Sequence, residues 1–212
     1  MTRLPPKYLP ADERRSLTVD TVVTLAGQQN PSEITTAAIA EHMRVTQGAL
    51  FRHFPTKDAI WQAVMQWIAD RLLDRFDRAV SGIASPVESL RAAFLSQVEF
   101  AIEHSGVPRL MFGELQHAKA TPAKTIARTL VARYTERIKQ RIEEAKAAGE
   151  VDRDIDSTAA AILFIGTIQG LVMQSLLSGD IAGARTHAAA VVAIYLRGLK
   201  RWPPEPSGRR SP

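Results

Sequence analysis

Thr35-Thr36-Ala37-Ala38-Ile39-Ala40-Glu41-His42-Met43-Arg44-Val45-Thr46-Gln47-Gly48-Ala49-Leu50-Phe51-Arg52-His53-Phe54-Pro55-Thr56-Lys57 is the stretch that decides how this chain is built. Two short helices are written in it. Thr35 stands where an N-cap hydroxyl is needed, and Ile39, Ala40 and Met43 fall on one inner face. Arg44-Val45 makes a tight break. Thr46 caps a second helix, which the pattern carries from about Gln47 to His53 until Pro55 stops it. A helix this short gains little stability from itself, so it must dock on a neighbour. Ala40, Val45, Leu50 and Phe54 are the small and apolar groups available for that docking, which leaves Gln47, Gly48, Arg52 and His53 on the outside. Helix, turn of about three residues, helix is the helix-turn-helix layout, whose second helix fits the major groove of DNA.

Working outward, nearly every segment reads as helix. Val19, Val22, Val23 and Ala26 make one stripe at i, i+3, i+4 and i+7, with Asp12 and Glu13 near the favourable N-terminal end. Asn30-Pro31-Ser32 closes that helix. Thr56 caps a long one carrying Ile60, Trp61, Val64, Trp67, Ile68, Leu72 and Phe76, which weakens at Ser81-Gly82. Ser85-Pro86-Val87-Glu88 reads as a capping box ahead of Leu90, Phe94, Val98 and Ala101. Gly106-Val107-Pro108 is expected to break the helix there. Thr121-Pro122 opens another, with Ile126, Leu130, Val131, Tyr134, Ile138 and Ile142 inward and Gly149 at its close.

No charge occurs from Ser157 to Gly179. That is long enough to cross a bilayer, but Thr167, Gln169, Gln174 and Ser175 are costly in lipid, so a helix buried on nearly all sides fits better. A last helix spans about 181–199. These two helices form a hairpin with more apolar surface than one domain needs, and self-association through 157–178 and 181–199 is the economical reading. The expected architecture is all-α. An N-terminal arm and three-helix head occupy 1–57, a helical body 58–202, and a Pro-rich, mobile tail 203–212.

Composition narrows the function. Among 212 residues, 45% are hydrophobic and 23% charged, ordinary globular values. Absence of cysteine excludes disulfides, thiolate zinc sites, iron–sulfur clusters and cysteine nucleophiles. No secretory signal opens the chain, so a soluble cytoplasmic protein is expected. Net charge is +5, from 27 Lys and Arg against 22 Asp and Glu, and Lys200, Arg201, Arg209 and Arg210 nearly account for it. The head itself is close to neutral, so placement rather than bulk charge must hold any polyanion. Glu114-Leu115-Gln116-His117 has di-iron spacing but occurs once, where such sites need two copies. Glu150, Asp152, Asp154 and Asp156 lack the Gly and terminal Glu of a calcium loop and read as a solvated helix start. With no phosphate loop and no nucleophile elbow either, neither catalysis nor a metal or cofactor is expected.

The 35–57 stretch resembles the TetR family of bacterial transcription regulators. Thr35, Ile39-Ala40, Val45-Thr46, Gly48-Ala49-Leu50-Phe51-Arg52-His53-Phe54 and Thr56-Lys57 stand at the family's positions in type and spacing. Three departures stand out. Arg44 occupies a common Gly position, so the turn lacks an easy left-handed residue. Asn30 occupies another and tolerates that conformation better than most. Phe51 replaces the usual Tyr, losing a hydroxyl that could reach phosphate and leaving a docking role for the ring. The resemblance implies that Lys57 holds a phosphate and that Thr35 and Thr46 combine capping with phosphate contact. It implies that Gln47, Gly48 and Arg52 face bases and that His53 touches phosphate or base. Arg3 and Lys7 could enter the minor groove as an arm.

The resemblance further implies a homodimer on a pseudo-palindromic double-stranded operator and a body that binds a small-molecule effector. Candidate lining is Trp67, Phe94, Phe100, Met111, Phe112, Phe164, Ile168 and Met173, with Gln97, His104, Arg109, Gln169 and Gln174 to orient a ligand. So few charges favour an apolar or aromatic molecule. The alternative is a helical DNA-binding adaptor answering to a protein partner or to no ligand.

Overall fold

The computed structural model describes residues 10–200. Its helices are α1 (Ala11–Gln28), α2 (Thr36–His42), α3 (Gln47–Phe51), α4 (Lys57–Val80), α5 (Pro86–Glu103), α6 (Gly106–Leu115), α7 (Pro122–Ala147), α8 (Ser157–Leu177) and α9 (Gly183–Gly198), with a 3₁₀ turn at Pro31–Glu33. No strand occurs among the described residues. The expected arm residues Arg3 and Lys7, and the expected tail at 203–212, lie outside them.

The α1–α3 head closes around Val22, Ile34, Ile39, Leu50 and Phe54, all essentially inaccessible. Its termini are capped as the sequence indicates. Thr35 Oγ1 accepts from the Ala38 N–H at 3.1 Å, and Thr46 Oγ1 from the Ala49 N–H at 3.2 Å. α2 ends in a Schellman motif: the Val45 N–H reaches the Ala40 carbonyl and the Arg44 N–H that of Glu41, each at 2.9 Å. Arg44 sits there at φ 56°, the left-handed region where Gly is usual. The same pair of bonds closes α7 at Gly149 and α8 at Gly179, with φ 73° and 75°. Asn30 needed no such tolerance. It is extended at φ −62° and caps the 3₁₀ turn by accepting from the Ser32 N–H.

Several of the sequence expectations change here. Gly106-Val107-Pro108 does more than break a helix, because the break falls at His104 and Ser105 and the three residues open α6. A proline in a first turn forfeits no intrahelical bond. Gly106 is there because α6 crosses α1 in contact: a Cβ on it would stand 2.0 Å from the Val23 carbonyl oxygen and 2.9 Å from Gly27 N. This crossing and α4 tie the head to the body. The capping box at Ser85 is half as expected. Ser85 Oγ accepts from the Glu88 N–H, but Glu88 turns to Arg91. Glu150 completes the cap from across the fold, accepting from Ser85 Oγ at 2.8 Å and the Val87 N–H at 2.9 Å. It is a structural acceptor, not part of a solvated run. Asp156, by contrast, caps α8, and the N–H groups of Ala159 and Thr158 hold its carboxyl below the ordinary range.

In the body, Phe94 meets Phe164 edge-on at 5.5 Å and Phe164 meets Tyr195 at 5.4 Å. Tyr195 donates to the Ala160 carbonyl at 2.9 Å. Tyr134 packs edge-on against Phe76 at 5.2 Å, yet its buried hydroxyl has no hydrogen-bond partner among the described residues. α8 is two-sided rather than buried all round. Ala161, Phe164, Ile168 and Val172 face the core, while Ile162, Leu163 and Leu177 are exposed, Leu177 to 81%.

Candidate nucleic-acid interface

α3 is five residues long and survives because its inner side is locked. Leu50 and Phe54 are buried in the head, and Gln47 Nε2 donates to Thr36 Oγ1 of α2 at 3.1 Å. Its outer side presents Gln47, Gly48, Phe51 and Arg52 to solvent. Phe51 corrects an expectation, since the ring does not dock: it is 41% exposed, and Leu50 and Phe54 do the packing. Nothing among the described residues requires glycine at 48, where a Cβ would meet only Thr46 Oγ1, at 3.9 Å. The open surface there favours close approach by something outside. The regular helix stops at Phe51 rather than His53.

His53 is half-buried and turned toward α1. Arg14 Nη1 lies 3.2 Å from its Nε2, and Arg15 Nη1 donates to its carbonyl at 2.8 Å while stacking 4.5 Å over the Phe54 ring. An arginine can only donate, so Nε2 accepts and the imidazole proton sits on Nδ1. These two arginines fasten the end of the recognition segment, a role the sequence reading missed. Only the Arg-Arg pair at 14–15 could have signalled it. Lys57 sits in the first turn of α4, its ammonium 4.8 Å over the Trp61 ring.

Comparison with known proteins fits this geometry. Residues 19–64 match the family description "Bacterial regulatory proteins, tetR family", and residues 116–191 match "Tetracyclin repressor-like, C-terminal domain". The chain belongs to the TetR family of transcriptional regulators. It is therefore a DNA-binding protein and not an enzyme. Among curated relatives, the nucleoid occlusion factor SlmA of Idiomarina loihiensis is 27% identical over 172 residues, covering 79% of this chain and 87% of that one. SlmA of Vibrio vulnificus is 24% identical over 146 residues, covering 69% and 74%. Among solved structures, the ketosteroid regulator KstR2 of Mycobacterium tuberculosis superposes with a TM-score of 0.73 at 18% identity, covering 89% of this chain and 96% of that one. FadR of Bacillus subtilis, in complex with stearoyl-CoA, gives 0.75 at 15%, covering 87% and 98%.

Within this TetR-family body, the expected ligand-lining residues do not gather in one place. Phe94 and Phe164 are fully buried against each other and are core, not lining. Gln169 is exposed on the outer side of α8 and faces away from the interior. Trp67, Phe100 and His104 cluster on α4 and α5, with His104 5.4 Å from Trp67 and 4.8 Å from Phe100. Burial lowers the His104 pKa, and Arg75 and Arg71 push the same way against Glu103 and Asp20. Phe112 and Met173 line a cleft between head and body, with Arg109 beside them. Met111 and Gln97 are half-buried and line neither that cleft nor the α8–α9 groove.

Glu114 is buried at 3% exposure. Its Oε2 accepts from Thr121 Oγ1 at 2.9 Å, and its Oε1 lies 3.9 Å from His117 Nε2. No third metal-ligating side chain joins that pair among the described residues.

Proposed function

We propose that this chain is a ligand-responsive transcriptional repressor that binds a pseudo-palindromic operator as a homodimer and is released by a small, largely apolar or aromatic molecule. One observation carries the reading: a helix locked on its inner side shows Gln47, Gly48, Phe51 and Arg52 outward. In this reading Gln47 pairs with adenine N6 and N7, and Arg52 with guanine O6 and N7. Phe51 contacts a thymine methyl, Gly48 lets the backbone approach, and His53 offers its Nδ1–H. Thr35, Thr46 and Lys57 take phosphates. The head spans 1–57 and the body 58–202, and the protein works in the cytoplasm.

Dimerisation proceeds through α8 and α9. Support comes from the exposed Ile162, Leu163, Leu177 and Ile194, and from an apolar groove of about 520 Å³ between the two helices. Such a patch marks an interaction surface. An 18-residue stretch of α8 has a mean hydropathy of 1.8, so composition alone would also allow a membrane span, but its core-facing side packs within the body.

A second reading has support of its own. The similarity to SlmA, a nucleoid occlusion factor, favours a DNA-binding protein answering to a protein partner. Band-shift titration on the chain's own promoter tests both. Operator affinity should fall with salt at a log–log slope of about −5 to −8 for six to nine phosphates, and R52A should relax sequence preference. Loss of affinity with a metabolite supports the repressor. Loss or gain only with a protein partner supports the adaptor. Indifference to every promoter duplex at low salt refutes both.

A further inference from the structure

A cleft of about 1020 Å³ separates the head from the body, and of the residues assigned above to the DNA interface only Lys57 lines it. The 30–32 turn and the start of α4 form one wall; α6, the start of α7 and the end of α8 form the other. Its apolar surface comes from Trp61, Leu110, Phe112, Met173 and Leu176. Two cations, Lys57 and Arg109, also line it, and neither has a carboxylate at ion-pair distance among the described residues. Two acids line it as well, Asp58 beside Lys57 at the start of α4 and Glu114 deep in the body wall. Glu114 is nine-tenths buried and more, and Thr121, its one side-chain hydrogen-bond donor among the described residues, also caps α7 by accepting from the Lys124 N–H.

We propose that this cleft is a binding site for an amphipathic monoanion, an acid with an aromatic or alkyl body and a single negative end. The apolar body lies against Trp61, Phe112 and Met173. The anionic end engages Lys57 and Arg109, which make no ion pair among the described residues. With Asp58 and Glu114 both on its walls, the cleft disfavours a second negative end on the ligand. That selects one acidic end and rejects diacids.

The site regulates by position, a consequence that rests on the repressor reading above. Lys57 is the ammonium assigned to an operator phosphate, and it cannot serve both anions at once. The ligand also wedges between the 30–32 turn and α6, where a Cβ on Gly113 would meet Pro31 at 3.7 Å. Binding of acid and of operator therefore oppose each other, reciprocally.

The test uses the full chain and four probes below their micellar concentrations: decanoate, 4-phenylbutyrate, decanol and decanedioate. Calorimetry reads probe binding, and fluorescence anisotropy reads operator affinity. At least one monoacid should bind roughly tenfold or more tighter than decanol, the worth of a charge-assisted hydrogen bond, and should weaken operator binding. Arg109→Gln, an exposed site, should shrink that weakening to under about threefold relative to the variant's own unliganded affinity. Glu114→Gln keeps an acceptor for Thr121 and should admit decanedioate, which the parent refuses. Equal binding of decanol and both monoacids overturns the site. So does an Arg109→Gln protein with an undiminished response, or a parent that binds the diacid as well as the monoacid. A protein that binds the monoacid by calorimetry but binds no operator leaves the site standing and refutes the repressor reading instead.

Discussion

Replacing Gly106 by alanine tests the joint between head and body directly. The added Cβ would stand 2.0 Å from the Val23 carbonyl oxygen, 2.9 Å from Gly27 N and 3.0 Å from the Val23 carbonyl carbon. All three are backbone atoms, so no side chain can rotate away. α1 and α6 must separate by more than an ångström where Val107 and Leu110 are buried. A gap of 0.5–1 Å already forfeits about a quarter to a half of each dispersion contact. Overpacking of this kind costs about 1–3 kcal/mol, and the better helix propensity of alanine returns at most about 1 kcal/mol. A 2.0 Å clash with backbone lies at the upper end of that range, so about 2–3 kcal/mol remains, and at about 2–4 °C per kcal/mol for a chain this long the melting temperature should drop by roughly 4–12 °C. Gly113→Ala in the same helix is the control. Its Cβ would meet only Pro31 side-chain carbons at 3.7 and 3.9 Å, an ordinary contact, so it should be neutral or gain about 0.5 kcal/mol. Thermal melts by far-ultraviolet circular dichroism decide it. If Gly106→Ala melts with or above the parent, or falls no further than Gly113→Ala, the close crossing of α1 and α6 is wrong.

Three further outcomes are expected. Arg44 holds a left-handed conformation that Gly149 and Gly179 hold elsewhere in the same motif. Arg44→Gly should therefore be more stable than Arg44→Ala by about 1 kcal/mol in denaturant titration, and equality would refute the strain. The Tyr134 hydroxyl is buried without a partner among the described residues, so Tyr134→Phe should cost nothing or stabilise by up to about 1 kcal/mol. A loss above 1 kcal/mol would mean that the hydroxyl is bonded. His104 has its pKa lowered from 6.5 by burial, so folding resists its protonation. Its contribution is intact above pH 6.5 and is lost as the pH falls from there through the folded value. Unfolding free energies between pH 7 and 5.5 should slope less in His104→Gln than in the parent; matching slopes would place the titration elsewhere.

Much of this molecule is settled within a few residues of itself. Thr35, Thr46, Thr56 and Ser85 each cap a helix by a bond to the N–H three positions on, and a bond that local is readable from spacing alone. The same holds for the buried stripe of α1 and for the stop at Gly149. Because the head is built from such signals, the helix-turn-helix and the family were legible in the sequence. Contacts between distant segments were not. Glu150 reaches back 65 residues to Ser85, and Arg14 reaches forward 39 to His53; neither leaves a periodic trace.

Gly106 looked like a helix breaker because its neighbours on α1 are out of sight of any window on the sequence. Phe51 and Phe54 are three positions apart on a short segment, and only the docked geometry decides which ring is buried. The cleft belongs wholly to the tertiary level, since its walls come from α4, α6, α7 and α8. Local hydrogen-bond geometry fixes where helices begin and end, but which surfaces meet, and what space stays open between them, depends on packing across the whole chain.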